Sequence, residues 1–254
     1  GDWTYHSYNG LPLLAGQGMI DITGKPLASM YFMQIVWGLR KEPFIGVRPL
    51  NHAKEAPTTG AWQFTNAIDS WSWQGYEGEK AVVEIYANSA SVRLLLNGKE
   101  MANKPVRKYK TLFKLPYQPG TLTAEALDER GNVISSHSLT TAGEETVLRV
   151  TPDKMVLCAN NQALCYLPIE FTDKAGNLKP YMEQRVEVAV AGAATLAGFG
   201  SALCKTNEVF DKPYHHSYRG RCLAVLRAGS TPGKAKVTVT SAGMEPVTIE
   251  VEVQ

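Results

Sequence analysis

Apolar and polar residues alternate with a period of two along much of the chain, most clearly between residues 81 and 98. Val83 and Ile85 belong to one alternating segment, and the apolar residues at positions 92, 94 and 96 belong to the next. A strand with one buried face needs this spacing, because its side chains point to opposite faces in turn. Asn97-Gly98 then supplies two residues that tolerate the positive φ angles of a tight type I′ turn. The pattern therefore predicts two half-buried strands, the second ending in a tight turn.

Similar short segments, separated by turns, continue to residue 254 with no convincing helix after residue 70. Strands of this length and spacing are typical of β-sandwiches. The turn sequence at residues 128–132 recurs at residues 173–177, which favours two sandwiches of related design. We place the first sandwich at residues 71–143 and the second at residues 144–254. The predicted strands are 81–86, 92–97, 111–115, 122–127 and 133–139 in the first, and 147–150, 163–171, 185–190, 222–228, 234–240 and 248–253 in the second.

Residues 1–45 follow a different pattern, which predicts a buried helix. Pro26 stands where a helix would begin, and apolar residues then dominate positions 27–39. A helix that is apolar around its whole circumference is buried on more than one side. We therefore expect it to belong to a larger body or to pack against the sandwich that follows. Residues 46–70, with two prolines and a Thr-Thr-Gly turn, are typical of a linker.

Three groups of residues resemble motifs of one known family. They are a Trp-x-Trp-x-Gly-x-Glu-Gly block with a Leu-Asn-Gly-Lys turn at residues 71–99, Leu-Ala-Gly-x-Gly-Ser at 196–201, and Gly-Arg-x-Leu-Ala-Val at 220–225. Residues 18–37 also resemble the last helix of a (β/α)₈ barrel. In this order the motifs resemble the C-terminal region of β-galactosidases and β-glucuronidases of glycoside hydrolase family 2, and the resemblance covers nearly the whole chain.

The resemblance implies a mainly β fold, with two immunoglobulin-like β-sandwiches preceded by a short helical remnant of a (β/α)₈ barrel. Residues 1–45 would be that remnant. The parent would be a retaining β-glycosidase that acts on an oligo- or polysaccharide through two carboxylates at barrel strand ends. Both carboxylates would lie upstream of residue 1, so we expect no catalytic residue here and no cofactor. The resemblance also implies a periplasmic or extracellular location in a bacterium.

Composition adds few constraints. The chain has 254 residues, of which 44% are hydrophobic and 20% charged, and its formal net charge is +2. Nothing in this balance indicates nucleic acid or an anionic membrane as a partner. No apolar run of about 18 residues occurs, so no membrane span is expected. The four cysteines allow three full pairings, among which the sequence does not choose. They are Cys158, Cys165, Cys204 and Cys222.

The acidic residues show no catalytic pair. Glu84, Glu125 and Glu187 alternate with apolar residues, which is typical of the solvent face of a strand. Asp128 and Asp173 stand in turn sequences, where aspartate caps its own backbone. None of them stands in a context that would raise one pKa and leave a second low, as a pair of catalytic carboxylates requires.

The histidines and the longest loop suggest no metal site. His215 and His216 are adjacent, so in an extended segment they point in opposite directions and make poor joint ligands. We expect both on the surface of a long polar loop at residues 200–220. A loop of this length is either functional or mobile, and it could contact a neighbouring domain or a second copy in a homo-oligomer.

Two groups of aromatic residues could contact sugar. Trp71 and Trp73 lie two positions apart and could form a platform on which a sugar ring stacks, although we favour the interpretation that they pack in the core. Trp3, Tyr5 and His6 precede the predicted barrel helix and could line the edge of the parent's pocket, although plain packing is again favoured.

A different class of protein remains an alternative, namely a carbohydrate-binding or adhesion protein built from immunoglobulin-like modules. The discriminating segment is residues 21–37, because an adhesion array has no use for a helix that is apolar on all sides. A glycoside hydrolase whose barrel ends here would contain one.

Overall fold

The computed structural model describes residues 18–53, 64–203 and 206–254. Strands dominate these ranges, which confirms the mainly β fold. The chain divides into two compact units, with the boundary between Ala142 and Gly143. The elements are α1 (Ala28–Val36), β1 (Phe44–Val47), β2 (Lys80–Tyr86), β3 (Ser91–Leu96), β4 (Lys99–Pro105), β5 (Lys110–Pro116), β6 (Thr121–Leu127), β7 (Val133–Thr140), β8 (Val147–Val150), β9 (Val156–Leu157), β10 (Leu164–Thr172), β11 (Arg185–Gly192), β12 (Ala194–Gly200), β13 (Tyr214–His216), β14 (Arg221–Ala228), β15 (Gly233–Ser241) and β16 (Val247–Val253).

The first unit is a sandwich of two antiparallel sheets. One sheet has the strand order β1-β2-β5 and the other has the order β4-β3-β6-β7. The alternating residues predicted to point inward do so, since Val83, Ile85, Val92 and Leu94 are all buried in one core. The Asn97-Gly98 turn has φ angles of 53° and 77°, as a type I′ turn requires.

Two strands of this unit were not predicted. β4 has few apolar residues and ends in Pro105, which an edge strand tolerates because one side of it needs no hydrogen-bonded partner. β1 lies partly within residues 46–70, where we expected a linker. Val47 pairs with Val83, and both Leu50 and Ile68 are buried in the same core. The described ends of residues 46–70 are therefore part of the first sandwich.

Helix α1 packs on the outer face of the β1-β2-β5 sheet, which matches one of the two placements expected for it. Tyr31 stacks on Phe44 with ring centroids 4.4 Å apart, and Phe32 meets Tyr86 edge to face at 5.3 Å. The helix begins two residues later than the expected Pro26 start, because Pro26 pairs with Ile20 in an isolated bridge. The first unit therefore has three layers, namely the helix and two sheets.

The second unit is also a sandwich. Its sheets have the orders β12-β14-β10-β8 and β13-β11-β15-β16-β9, and all the pairings are antiparallel except that of β9 with β16. The core includes Phe171, Phe199 and Leu226. Strands β9, β12 and β13 were not predicted, because they are short or interrupted by glycine.

The recurring turn has the same hydrogen bonds in both units. The Asp128 carboxylate accepts the Asn132 backbone N–H at 2.8 Å, and the Asp173 carboxylate accepts the Asn177 backbone N–H at 2.8 Å. In each turn the asparagine side chain also donates to the aspartate. The carboxylate replaces a backbone partner and fixes the turn, so the sequence repeat is a repeat of structure. Among the described residues, no helix is long and apolar enough to cross a membrane.

Candidate functional site

The outer face of β2 carries polar side chains that are buried. Val83 and Ile85 point into the sandwich core, and Glu84 and Tyr86 point to the opposite face, towards α1. A solvent-facing sheet would leave Glu84 in water, but its exposure here is 0%. The expectation that Glu84 lies on the solvent face was therefore wrong, because α1 and residues 64–68 cover this sheet.

Four side chains surround the Glu84 carboxylate. Arg48 Nε lies 2.8 Å from Oε1 and Lys110 Nζ lies 2.6 Å from Oε2. Thr65 donates its hydroxyl to Oε1 at 3.0 Å, and Tyr86 donates its hydroxyl to Oε2 at 2.8 Å. Buried carboxylates need such partners, because an unpaired charge in a low-dielectric interior is very costly.

These partners keep the carboxylate ionised. Burial alone would raise the pKa of Glu84, but hydrogen bonds and charge attraction from Lys110 and Arg48 outweigh it and lower that pKa. Burial and the neighbouring negative charge raise the pKa of Tyr86 far above its ordinary value, so its hydroxyl stays a proton donor. We refer to Glu84, Arg48, Lys110, Thr65 and Tyr86 as the Glu84 cluster.

A cavity of about 440 Å³ adjoins this cluster on the outside of the sheet. It is an open depression rather than an enclosed pocket, so a ligand bound there would keep one side in water. One side is apolar and the other is cationic, and Lys110 belongs to both the cavity and the cluster. The lining residues are Phe32, Phe64, Arg107, Lys108, Lys110 and Leu112.

The cationic side of the cavity is a tight turn between β4 and β5. Arg107 and Lys110 exchange two backbone hydrogen bonds of 3.1 Å, and Lys108 and Tyr109 between them have φ angles of 50° and 63°. Two consecutive left-handed residues define a type I′ turn, for which asparagine and glycine are strongly preferred. A lysine and a tyrosine in these positions therefore hold a less favourable backbone conformation, which projects their side chains at the tip.

The two tryptophans considered as a sugar platform are in the core. Trp71 and Trp73 both have 0% exposure, so neither presents a ring face to a ligand. Trp71 donates its indole N–H to the Gln118 carbonyl at 3.0 Å, and the Tyr117 hydroxyl accepts the backbone N–H of Trp73 at 3.0 Å. The platform is thereby ruled out and the packing interpretation holds. Trp3, Tyr5 and His6 lie outside the described residues.

The two adjacent histidines differ in their surroundings. His215 is fully buried and stacks on Phe210 with ring centroids 5.8 Å apart, so the expectation that it lies on the surface was wrong. His216 is exposed, and its Nδ1 lies 2.8 Å from Glu208. Burial would raise the pKa of Glu208, but the hydrogen bonds from His216 outweigh it and lower that pKa. The histidines point to opposite faces of β13, as the sequence predicted.

The described residues hold no group of three side chains that could bind a metal ion. Three of the four cysteines are described, and all three are free thiols. Cys158 is exposed, whereas Cys165 and Cys222 are buried. Burial raises the pKa of the Cys165 thiol to about 11, so it is a poor nucleophile. Cys204 lies outside the described residues.

None of the described carboxyl groups has a raised pKa. Within residues 18–53, 64–203 and 206–254, those with a displaced pKa are Glu84, Asp128, Asp173 and Glu208, and every displacement is downward. A carboxylic acid that donates a proton near neutral pH needs its pKa raised. The Glu84 cluster and its cavity place cations next to aromatic rings.

Family models match a part of each unit. Residues 148–250 match the model of glycoside hydrolase family 2 C-terminal domain 5, and residues 78–135 match a domain of unknown function (DUF4982). A β-galactosidase of Bacteroides ovatus, BoGH2A, is 27% identical over 99% of this chain and 28% of its own length. A putative β-glucuronidase of Formosa agariphila is 26% identical over 92% of this chain and 21% of its own length.

A solved structure shows the same arrangement of strands. A glycoside hydrolase family 2 member from Bacteroides cellulosilyticus superposes with a TM-score of 0.82 and 26% sequence identity. The superposition covers 93% of this chain and 31% of that protein. The chain thus spans less than a third of the length of the relatives it matches.

Proposed function

We propose that this chain is the non-catalytic C-terminal part of a β-galactosidase-like enzyme of glycoside hydrolase family 2, which hydrolyses terminal β-O-glycosidic bonds with retention. Similarity to a β-galactosidase over 99% of the chain supports this choice of sugar over β-glucuronide. The catalytic barrel would lie upstream of residue 1, and α1 would be the end of it.

The state of Glu84 carries the non-catalytic part of the proposal. A retaining glycosidase needs two carboxyl groups about 5–5.5 Å apart, one of which is protonated to act as an acid. Glu84 is buried between Arg48 and Lys110, and its pKa is lowered. A carboxylate stabilised in its ionised form by two cations has no proton to donate. Glu208, a partly buried carboxylate whose pKa is also lowered, is held ionised by His216.

In this proposal the two sandwiches support the barrel, restrict access to its active site or contribute to assembly into a homo-oligomer. The parent would be exported by a bacterium and would act on an oligo- or polysaccharide. Fractionating the source cells and probing with an antibody against this chain tests the location. Recovery in the cytoplasm alone would contradict it.

Turnover assays test the central claim. The purified chain should release no nitrophenol from nitrophenyl β-galactoside or β-glucuronide, whereas the parent enzyme should cleave the first. The controls are the variants Glu84→Gln and Glu208→Gln, prepared in the same way. Activity that co-purifies with the chain and disappears in either variant would overturn the assignment as non-catalytic.

A further inference from the structure

We propose that the cavity beside the Glu84 cluster is a binding subsite for an anionic saccharide, meaning a sugar ring that carries a carboxylate or a sulfate. The choice of a saccharide rests on the proposed function, and the choice of an anion rests on the charges around the cavity. The subsite lies wholly within the first unit, and its residues come from α1, β5, the β4–β5 turn and the segment at Phe64.

The charge around the cavity is unbalanced. Residues 101–118 contain five basic residues and no acidic one. Glu84 neutralises only one unit of the charge on Arg48 and Lys110. Arg107 and Lys108 are exposed and have no acidic partner among the described residues. A cluster of cations without counter-charges attracts an anion, and an apolar wall beside it strengthens that attraction by lowering the local dielectric.

The apolar wall is suited to the face of a sugar ring. Phe64 is 36% exposed and Leu112 is 40% exposed, so both present apolar surface to the cavity. Phe32 meets Phe64 edge to face with centroids 5.1 Å apart, which fixes the orientation of the exposed ring. The Phe64 backbone N–H donates to the Ser29 hydroxyl at 3.3 Å and ties this segment to α1. A fixed aromatic face is what C–H groups of a pyranose stack upon.

The backbone of the turn and the ammonium groups of Lys110 and Lys104 are held in place before any ligand binds. The type I′ turn fixes Arg107 and Lys110 as cross-strand neighbours, and Lys110 is anchored by the buried Glu84 at 2.6 Å. Lys104 on the adjoining strand donates to the Leu112 carbonyl at 2.8 Å and lies over the Phe113 ring at 4.9 Å. Pre-ordered groups lose less conformational entropy on binding, which favours a specific site over diffuse attraction.

A guanidinium at the rim also selects a type of anion. Arg107 presents paired N–H donors that match two oxygens of one carboxylate or sulfate group. The ammonium groups of Lys108 and Lys110 act as less directional charges beside it. An inorganic phosphate could contact these cations but would leave the aromatic wall exposed to water. The site as a whole therefore favours a charged sugar over a free anion.

Isothermal titration with the whole chain tests the proposal. The probes are trigalacturonate, a sulfated oligosaccharide from carrageenan, neutral cellotriose and inorganic phosphate. We expect binding of at least one anionic saccharide, weakening as ionic strength rises, and no binding of cellotriose. Failure of both anionic saccharides to bind, or equal binding of phosphate or cellotriose, would overturn the proposal.

Matched variants locate the site. Arg107→Gln with Lys108→Gln should weaken binding of the anionic saccharide by about fivefold or more. Lys99→Gln with Lys236→Gln removes the same charge from exposed positions that do not line the cavity and should leave binding unchanged. An equal loss of affinity in both double variants would show attraction to net charge alone and would contradict a specific site at the cavity.

A third variant separates the sugar face from the charge. Phe64→Leu should weaken saccharide binding severalfold and leave any weak phosphate binding unaltered, and an unchanged saccharide affinity would contradict the role of the ring. Tryptophan fluorescence confirms folding of each variant. Binding and turnover are measured separately. A lack of saccharide binding would contradict this subsite alone, whereas glycoside turnover by the chain would contradict the proposed function.

Discussion

Replacing Glu84 by glutamine removes the charge at the centre of the buried cluster while keeping the size of the side chain. Arg48 and Lys110 then lose their common counter-ion, at distances of 2.8 and 2.6 Å in the native protein. Removing one partner of a fully buried pair costs about 3–5 kcal/mol. The side chains of Arg48 and Lys110 are 43% and 27% exposed, so water compensates part of this loss. We therefore expect a cost of about 2 kcal/mol in the free energy of unfolding of the first unit.

Tryptophan fluorescence during urea unfolding measures this cost in the first unit alone. All five tryptophans of the chain lie at or before residue 73, and residues 143–254 contain none. The signal therefore reports the unit that contains Glu84, where a two-state analysis is appropriate. The corresponding fall in midpoint temperature is about 8 °C.

The matched control is Glu125→Gln, which breaks the pair with Arg93 on the outer face of the other sheet. Those two side chains are 22% and 32% exposed, and exposed pairs contribute about 0.5 kcal/mol. Equal costs for Glu84→Gln and Glu125→Gln would refute the reasoning that burial makes the first pair important.

The dependence on pH gives a second check on the same variant. The pKa of Glu84 is lowered on folding from its ordinary value of 4.5. Its contribution to stability is therefore present above pH 4.5 and is lost as the pH falls through the folded-state pKa. The free energy of unfolding of the native protein should accordingly exceed that of Glu84→Gln by a constant amount from pH 6 to 8, and this difference should shrink in acid. A difference that grew in acid would have the wrong sign.

Two further predictions concern the second unit. Gly220→Ala should destabilise it by about 3 kcal/mol in calorimetry, because the new Cβ would lie 2.5 Å from the Lys179 carbonyl oxygen at a φ of 73°. Gly243 has a similar φ of 74°, but an added Cβ there would have no atom within 4 Å, so Gly243→Ala should cost only about 1 kcal/mol. Equal costs for the two substitutions would contradict the clash at Gly220. In a Cys204→Ser background, Cys158 should react with a thiol reagent roughly a hundredfold faster than the two buried thiols. Equal rates for all three thiols would show that the buried positions open readily.

Prediction from sequence succeeded where the signal was local. The strands around Val83 and Leu94 were found because a period of two is a property of neighbouring residues, and the Asp-to-Asn turns were found because aspartate bonds its own backbone. β1 was missed because four residues between prolines carry too little pattern. His215 was misplaced because its burial depends on stacking with Phe210 across the loop.

The candidate site was invisible in the sequence for a related reason. Glu84 occupies the polar position of an alternating strand, and that pattern is identical whether the outer face meets water or a helix. Its cationic partner Arg48 lies 36 positions away in the sequence. The turn that bears Arg107 and Lys108 contains neither asparagine nor glycine, the residues by which such a turn is recognised.

The amino-acid pattern by itself determined that this protein is mainly β, which side chains of its strands face the two cores, and where the recurring turns lie. Only the tertiary structure decided that α1 covers the first sheet, that Glu84 is buried and ionised, and that aromatic rings and cations meet at one cavity. The reason is physical. Alternation and turn geometry depend on adjacent residues, whereas burial and charge balance depend on which distant segments pack together.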